Sequence, residues 1–353
     1  MAEQDTIAVN HRELRTWVLE LTKRVGVTEE DAAVFADALI QAHLRGMDSH
    51  GLHFLPVYVQ RLELGLIAKR GVVCVLREGP GHALLDGANI LGQVAAQRAM
   101  EVAVSKAKKN GVAVVGLKNS NHSGILARYT LMAAESDCIG TAMANTPPLM
   151  APWGGVAAYF GTNPVSIAVP AGSEPPLVMD MATSAVARSK ILVASRKAER
   201  IPEHWARDGR GLPTDDPEEA LRGTMAPMSG HKGFALAIMI DILSGLLTGA
   251  ASGPEVGDLL SYGPSDVQNV GHFFQAIHID HLVPIGEFER RVARLIRRLR
   301  SAPLAPGVER MHLPGDHGRE TEKKRRQEGI PLGHEIRDEM KRLGEAYGLP
   351  WRW

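Results

Sequence analysis

Apolar positions along this chain recur first with helical spacing, then in short continuous runs, then with helical spacing again. Leu14, Trp17, Val18 and Leu21 share one face of a helix expected over 11–25. Phe35, Ala38, Leu39 and Ala42 repeat that spacing in a second helix, 28–46. Thr28 followed by Asp31 has the form of a capping box with a short acidic arm, and Gly46 supplies a stop. Pro56 suits the first turn of a third helix, whose apolar side is Tyr58, Val59, Leu62 and Leu66. The character changes at Gly71. Residues 72–76 and 82–87 are β-rich, and 112–117 is an unbroken apolar run of the kind found in central buried strands. Further strands are expected at 139–144, 164–169, 177–179 and 271–280. Helices are expected at 93–109, 124–135, 182–198, 231–248, 288–299, 315–328 and 334–347, with a polar loop over 252–269. The order predicts a mixed α/β chain of the α+β class: a helical domain from residues 1–70 and 300–353, packed on a mixed-sheet domain of residues 71–299.

Composition narrows the function classes. The chain has 353 residues, 44% apolar and 23% charged, as ordinary soluble domains do. Basic and acidic residues number 40 each, so charge gives no reason to expect a nucleic-acid or membrane partner. Zero net charge is compatible with a homo-oligomer. Six arginines between Arg290 and Arg300 cluster on one predicted helix, but Val292, Leu295, Ile296 and Leu299 supply a buried stripe and no aromatics interleave, so they read as a solvated face. Cys74 and Cys138 both fall in expected strands and form no CxxC pair. The polar start, Ala2 to Asp5, is not a signal segment, and no apolar run is long enough to span a bilayer. The expectation is a cytoplasmic protein acting on a small molecule.

Chemistry concentrates at breaks between elements. Arg45-Gly46-Met47-Asp48-Ser49-His50-Gly51 sets an acid, a hydroxyl and an imidazole between two glycines. Histidine alone titrates near neutrality, so His50 suits both giving and taking a proton. Locally, Asp48 and Ser49 acting as helix caps, with His50 on the surface, is the more ordinary reading. Asn119-Ser120-Asn121-His122-Ser123-Gly124 follows the buried strand, where ligands sit in open α/β sheets. Gly161-Thr162-Asn163-Pro164, Asp180-Met181-Ala182-Thr183-Ser184 and Ser229-Gly230-His231-Lys232-Gly233 are similar polar junctions. GxGxxG and GxSxG are both absent, so a dinucleotide needs a non-Rossmann site and serine hydrolase chemistry is disfavoured. The pairs His50/His53 and His278/His281 lack a third ligand, so no metal is expected.

Taken in order, these motifs resemble the type 2 malate/lactate dehydrogenase family of NAD(P)-dependent oxidoreductases, which includes ureidoglycolate, sulfolactate, diketogulonate and cyclic-imine enzymes. Asn269-Val270-Gly271-His272-Phe273-Phe274 and Pro314-Gly315-Asp316 extend the match, from about residue 10 to the C-terminus. The resemblance implies a non-Rossmann fold with a helical domain on a mixed-sheet cofactor domain, and an active site between them in a homodimer. It implies hydride transfer between NAD or NADP and a 2-oxo or 2-hydroxy acid. His50 is then the proton donor and acceptor, with Ser49 and Asp48 fixing its imidazole. His122 and Lys190 polarise or orient the substrate. The cofactor is lined by His122, Ser123, Gly124, Ile125 and Leu126, by Asp180, Met181, Ala182 and Thr183, by His231 and Lys232, and by Gly315 and Asp316. A cyclic-imine reductase, which Lys190 disfavours, and an idle binding relative are the alternatives. One departure stands out. Many members have a carboxylate-clamping arginine four residues after the motif histidine, and here that position is Phe54. Arg45, Arg188 or Lys190 takes that role, or the substrate is larger and less charged there.

Overall fold

In the computed structural model, which describes residues 6–353, strand β1 (Thr6–Val9) leads into helices α1 (His11–Val25), α2 (Glu29–Leu44) and α3 (Leu55–Glu63). The residues Ala2 to Asp5 discussed above lie outside the described ones. Asn10 caps α1 by accepting the Arg12 N–H, and Gly26 ends it in the left-handed conformation. Thr28 caps α2 by accepting the Asp31 N–H, as the sequence pattern requires.

The sheet elements follow: β2 (Cys74–Gly79), β3 (His82–Asp86), α4 (Gly92–Asn110), β4 (Val112–Ser120), α5 (Ala127–Ala134), β5 (Cys138–Ala144), β6 (Val165–Val169) and β7 (Leu177–Met181). Next come α6 (Arg188–Arg196), β8 (Ala206–Arg207), α7 (Pro217–Arg222), β9 (Thr224–Met225), α8 (His231–Asp241) and β10 (Val270–His278). Seven strands form one sheet in the order β2-β3-β4-β10-β5-β6-β7. Only β3 and β4 run parallel. This is a mixed sheet, not the doubly wound parallel sheet of Rossmann proteins. Strand β4, expected to be buried throughout, alternates instead. Ala113, Val115 and Leu117 are buried while Val112 is exposed. The alanine-rich side of α4 (Ala95, Ala96, Ala99, Ala103, Ala107) packs against β4 and β10, and small side chains permit that close approach.

The last elements are α9 (Ile285–Arg300), α10 (Asp316–Glu328), β11 (Ile330–Gly333) and α11 (His334–Ala346). Strand β11 pairs antiparallel with β1, Ile7 opposite Leu332. Trp17 donates to the Pro350 carbonyl and meets Trp351 edge-on, and Arg24 donates to the Tyr347 and Gly348 carbonyls, so the N-terminal helices are joined to the C-terminal segment. Helix α10 lies against α2.

Some boundaries differ from expectation. The helix expected at 182–198 is only α6, because Thr183 is tied by its N–H and its hydroxyl to the Thr162 carbonyl. The helix expected at 124–135 starts at Ala127, after Gly124 takes φ +74°. Helix α8 gives way to a π-helical turn, Ile242–Leu246. On α9, Ile296 is buried but Leu295 and Leu299 stay exposed, so the predicted stripe is narrower than read. Among the described residues, no helix is long and apolar enough to cross a membrane.

Candidate active site

Between α2 and α3 the chain makes two single 3₁₀ turns, Asp48–His50 and Leu52–Phe54. Their shape is set by His43, in the last turn of α2 and fully buried. Its Nε2 accepts the Leu52 N–H at 2.9 Å, and its Nδ1 lies 2.7 Å from an Asp48 oxygen. Because Nε2 accepts, the neutral ring carries its proton on Nδ1 and donates it to Asp48. A Cβ at Gly51 would lie 2.3 Å from the His43 ring, so only glycine fits there. Asp48 also receives both arms of the Arg325 guanidinium from α10, at 2.5 and 3.0 Å. Burial pushes the Asp48 carboxyl up, but the hydrogen bonds from His43 and Arg325 outweigh it and hold it at about 2. This corrects one expectation. Asp48 makes no direct bond to the His50 imidazole; its carboxylate is turned away, toward His43 and Arg325. Ser49 does touch the imidazole, its Oγ 3.0 Å from His50 Nδ1.

His122 follows the end of β4, and its backbone is held by polar neighbours. Asn121 donates to the Asn89 and Ile90 carbonyls, and the Gln268 side chain accepts the His122 N–H at 3.0 Å. Residue 92 must be glycine, since a Cβ there would come within 2.1 Å of the Asn121 carbonyl oxygen. The His122 and His50 rings stack with centroids 5.6 Å apart and planes 27° apart. Tyr58 Oη lies 2.5 Å from His122 Nδ1, and Gln93 donates to that same Oη at 2.7 Å. The Phe54 ring sits 5.3 Å from His122 and 6.4 Å from His50. Burial pulls His50 down to about 4. Burial, then the nearby His50 and His272, pull His122 down to about 3. Both imidazoles are therefore neutral at neutral pH, each ready to accept or share a proton without a standing charge.

A cavity of about 270 Å³ joins residues distant in sequence. Its walls are Arg45 and Met47 from the stretch before His50, Ile125 and Ala127 from the stretch after His122, Val178 and Asp180 from β7, and the segment from His312 to Gly318. Asp180 accepts the Ala127 N–H at 2.8 Å. Burial raises its carboxyl to about 6 against that bond and the Arg45 charge. Met47, Ile125, Val178 and Leu313 give apolar wall for a planar ring, whereas Arg45, the imidazoles of His312 and His317 and the start of α10 suit phosphates. The donor set fits a dinucleotide.

The other sequence-predicted residues divide. Ile125, Asp180 and Gly315 line the cavity. Ser123, Leu126 and Thr183 are buried, and Gly124, Met181 and Ala182 half-buried. The Asp316 carboxylate is engaged by the Leu313 N–H and by Arg319 and Arg300. Lys190, His231 and Lys232 are exposed on α6 and α8, and none is among the walls of this cavity. The 161–164 junction is structural: the Asn163 side chain bridges the Thr146 N–H and the Ala237 carbonyl. Sequence reasoning missed Tyr58, Gln93, His43, Arg325 and Gln268. Tyr58 was visible only as part of an apolar helix face, and the partners of these side chains lie on other elements.

A family model described as malate/L-lactate dehydrogenase matches residues 9–341. The chain is 39% identical to a malate dehydrogenase of Pyrococcus abyssi, over 98% of this chain and 97% of that one. It is 41% identical to an L-sulfolactate dehydrogenase of Methanothermobacter thermautotrophicus, over 94% of each. The solved sulfolactate dehydrogenase of Methanocaldococcus jannaschii superposes with a TM-score of 0.92 at 36% identity, over 98% of both chains.

Proposed function

The chain belongs to the malate/L-lactate dehydrogenase family, and we propose that it moves a hydride between a nicotinamide dinucleotide and C2 of a 2-oxo or 2-hydroxy acid. One observation carries the reading: two stacked, neutral imidazoles, His50 and His122, stand on the same two loops that wall the cavity of Asp180 and Gly315. When bound, the dinucleotide supplies or takes up the hydride. Ile125, Asp180 and Gly315 would hold it, and Ser123, Gly124, Leu126, Met181, Ala182 and Thr183 are assigned to it by resemblance, next to them in the chain. His231, Lys232 and Asp316 are assigned to it by resemblance alone. Neutral His50 takes the proton from the substrate hydroxyl in oxidation and returns it to the carbonyl oxygen in reduction. His122 is held at Nδ1 by Tyr58, which leaves Nε2 free to hydrogen-bond the substrate oxygen. Lys190 is assigned as a charge partner for the carboxylate or the developing alkoxide.

The test is direct. Purified protein is screened for a thermal shift with NADH and NADPH, then followed at the reduced-nicotinamide absorbance with a panel of 2-oxo acids and cyclic imines. The expected result is a shift with at least one dinucleotide and turnover of 2-oxo acids. Turnover confined to cyclic imines, or none with either cofactor, would sink the reading.

We propose that the working form is a homo-oligomer. Met239, Leu246 and Leu247 are 56%, 62% and 63% exposed, and with Ile242 they make an apolar face on α8 and the turn after it. Monomers rarely leave such a patch open to water. Light scattering on the eluting protein is expected to give a multiple of the chain mass, and Leu246→Glu to shift it toward the monomer. A monomeric wild type would refute the proposal.

A further inference from the structure

The buried side of the His50 loop carries a set of contacts that the chemistry above leaves unused. His43 is sealed in the core and uses both ring nitrogens, one on the Leu52 N–H and one on Asp48. Gly51 is pressed against the face of that ring. Arg325 reaches in from α10, 277 residues away in sequence from Asp48, and forks onto both Asp48 oxygens. The same guanidinium donates to the His43 carbonyl at 2.5 Å. A second contact runs alongside, Arg45 to Glu322 of α10 at 3.4 Å. Residues on both sides of His50 are thus tied to one point, and among the described residues the hydrogen-bond and ring partners of His50 are Ser49, Phe54 and His122.

We propose that Arg325, acting through Asp48 and His43, is a positioning residue for His50: helix α10 sets the angle and depth of the proton-transfer imidazole. The inference rests on the role given to His50 above. A planar fork onto a carboxylate fixes direction as well as distance, which one flexible ammonium does not. His43 converts that fixed carboxylate into a fixed Leu52 amide, and the 3₁₀ turn between them, Asp48–His50, has little freedom left. Proton transfer is sensitive to misplacement of this kind, with about 1 Å costing up to roughly a hundredfold. The start of α10 lines the cofactor cavity, whereas Arg325 lies in its last turn. Loss of the fork therefore leaves the cavity walls in place.

The experiment compares Arg325→Met and Arg325→Lys with wild type by three readings: kcat on the best 2-oxo acid, the dinucleotide Kd, and amide hydrogen exchange at Leu52. The expected result for Arg325→Met is a fall in kcat of about tenfold or more, an unchanged Kd, and faster exchange at Leu52. Arg325→Lys, which keeps the charge but not the fork, is expected in between. Millimolar guanidinium is expected to restore part of the kcat of the Met variant. Wild-type kcat in Arg325→Met overturns the proposal. So does a joint fall of kcat and dinucleotide affinity, because that marks general loss of structure. If the Met variant does not fold, Arg325→Lys decides alone: a wild-type kcat with unchanged exchange overturns the proposal. The exchange reading needs no turnover, so a wild type inactive on every substrate refutes the dehydrogenase reading while the clamp is still judged at Leu52.

Discussion

Replacing His50 by alanine is expected to lower kcat by roughly a hundredfold or more while leaving the dinucleotide Kd unchanged. The reasoning is positional. His50 does not line the cavity of Asp180 and Gly315, so its removal takes no wall from it. It stacks on His122, whose own Nδ1 is engaged by Tyr58. Of the two imidazoles, His50 has the simpler exchange partner, a serine hydroxyl that rotates to give or accept. The pH dependence follows from the same geometry. Burial holds His50 at about 4, so the base form dominates throughout the neutral range. The dinucleotide is kept saturating at every pH, so that Asp180, held at about 6 in the cofactor cavity, does not enter through cofactor binding. For oxidation of a 2-hydroxy acid, kcat/KM is therefore expected to stay flat from pH 8 to about 5 and to fall only as pH drops through about 4, where the imidazole takes up a proton. An inflection near the ordinary histidine value of about 6.5 would assign the base elsewhere. Near wild-type turnover in His50→Ala would pass the proton role to His122.

What the sequence made legible is the part of this site that local order encodes. The helix start at Thr28 is written in a side chain three residues from the N–H it accepts. His50 and His122 stand at breaks between elements, where polar residues have no packing purpose, whereas Asp180, expected between a strand and a helix, lies within β7. Asp48 shows where such reading stops. Its neighbour in sequence is Ser49-His50, but its partners are His43, five residues back on a helix, and Arg325, from the far end of the chain. Adjacent residues in a tight turn point in different directions, so adjacency did not mean contact. Tyr58 fails differently. Helical spacing places it correctly on the buried face, and burial is what makes its hydroxyl seek a partner, but the partners Gln93 and His122 come from α4 and the end of β4. Strands β1 and β11 escaped for a third reason, since four-residue strands have too little pattern to read and each exists only because the other lies beside it.

Phe54 is where a single substitution is expected to change what the enzyme accepts. Its ring contacts both imidazoles and also lies near Tyr58, at 6.3 Å, so the surface beside the two imidazoles is aromatic there. Of the cations considered for a carboxylate clamp, Arg45 is paired with Glu322 in the cavity wall, and Arg188 and Lys190 are exposed on α6. An apolar substituent at C3 gains by covering Phe54, whereas a second carboxylate there would lose water and find no donor. The proposal is that the wild-type protein prefers 2-oxo acids with apolar side chains over dicarboxylates. Phe54→Arg supplies a fork of donors at that point. Charge-assisted bonds of this kind contribute about 1.5–3 kcal/mol, equivalent to roughly 10- to 150-fold in the ratio of kcat/KM for a 2-oxo dicarboxylate over an apolar 2-oxo acid. The measurement is that ratio in wild type and variant, with melting temperature as the control for damage to the aromatic cluster. The kcat/KM for the apolar acid is expected to fall as that for the dicarboxylate rises, because the new guanidinium takes the space of the ring. An unchanged ratio in a variant that still melts like wild type would mean that the distal end of the substrate does not lie against residue 54, and would move the search for specificity to α6 and Lys190.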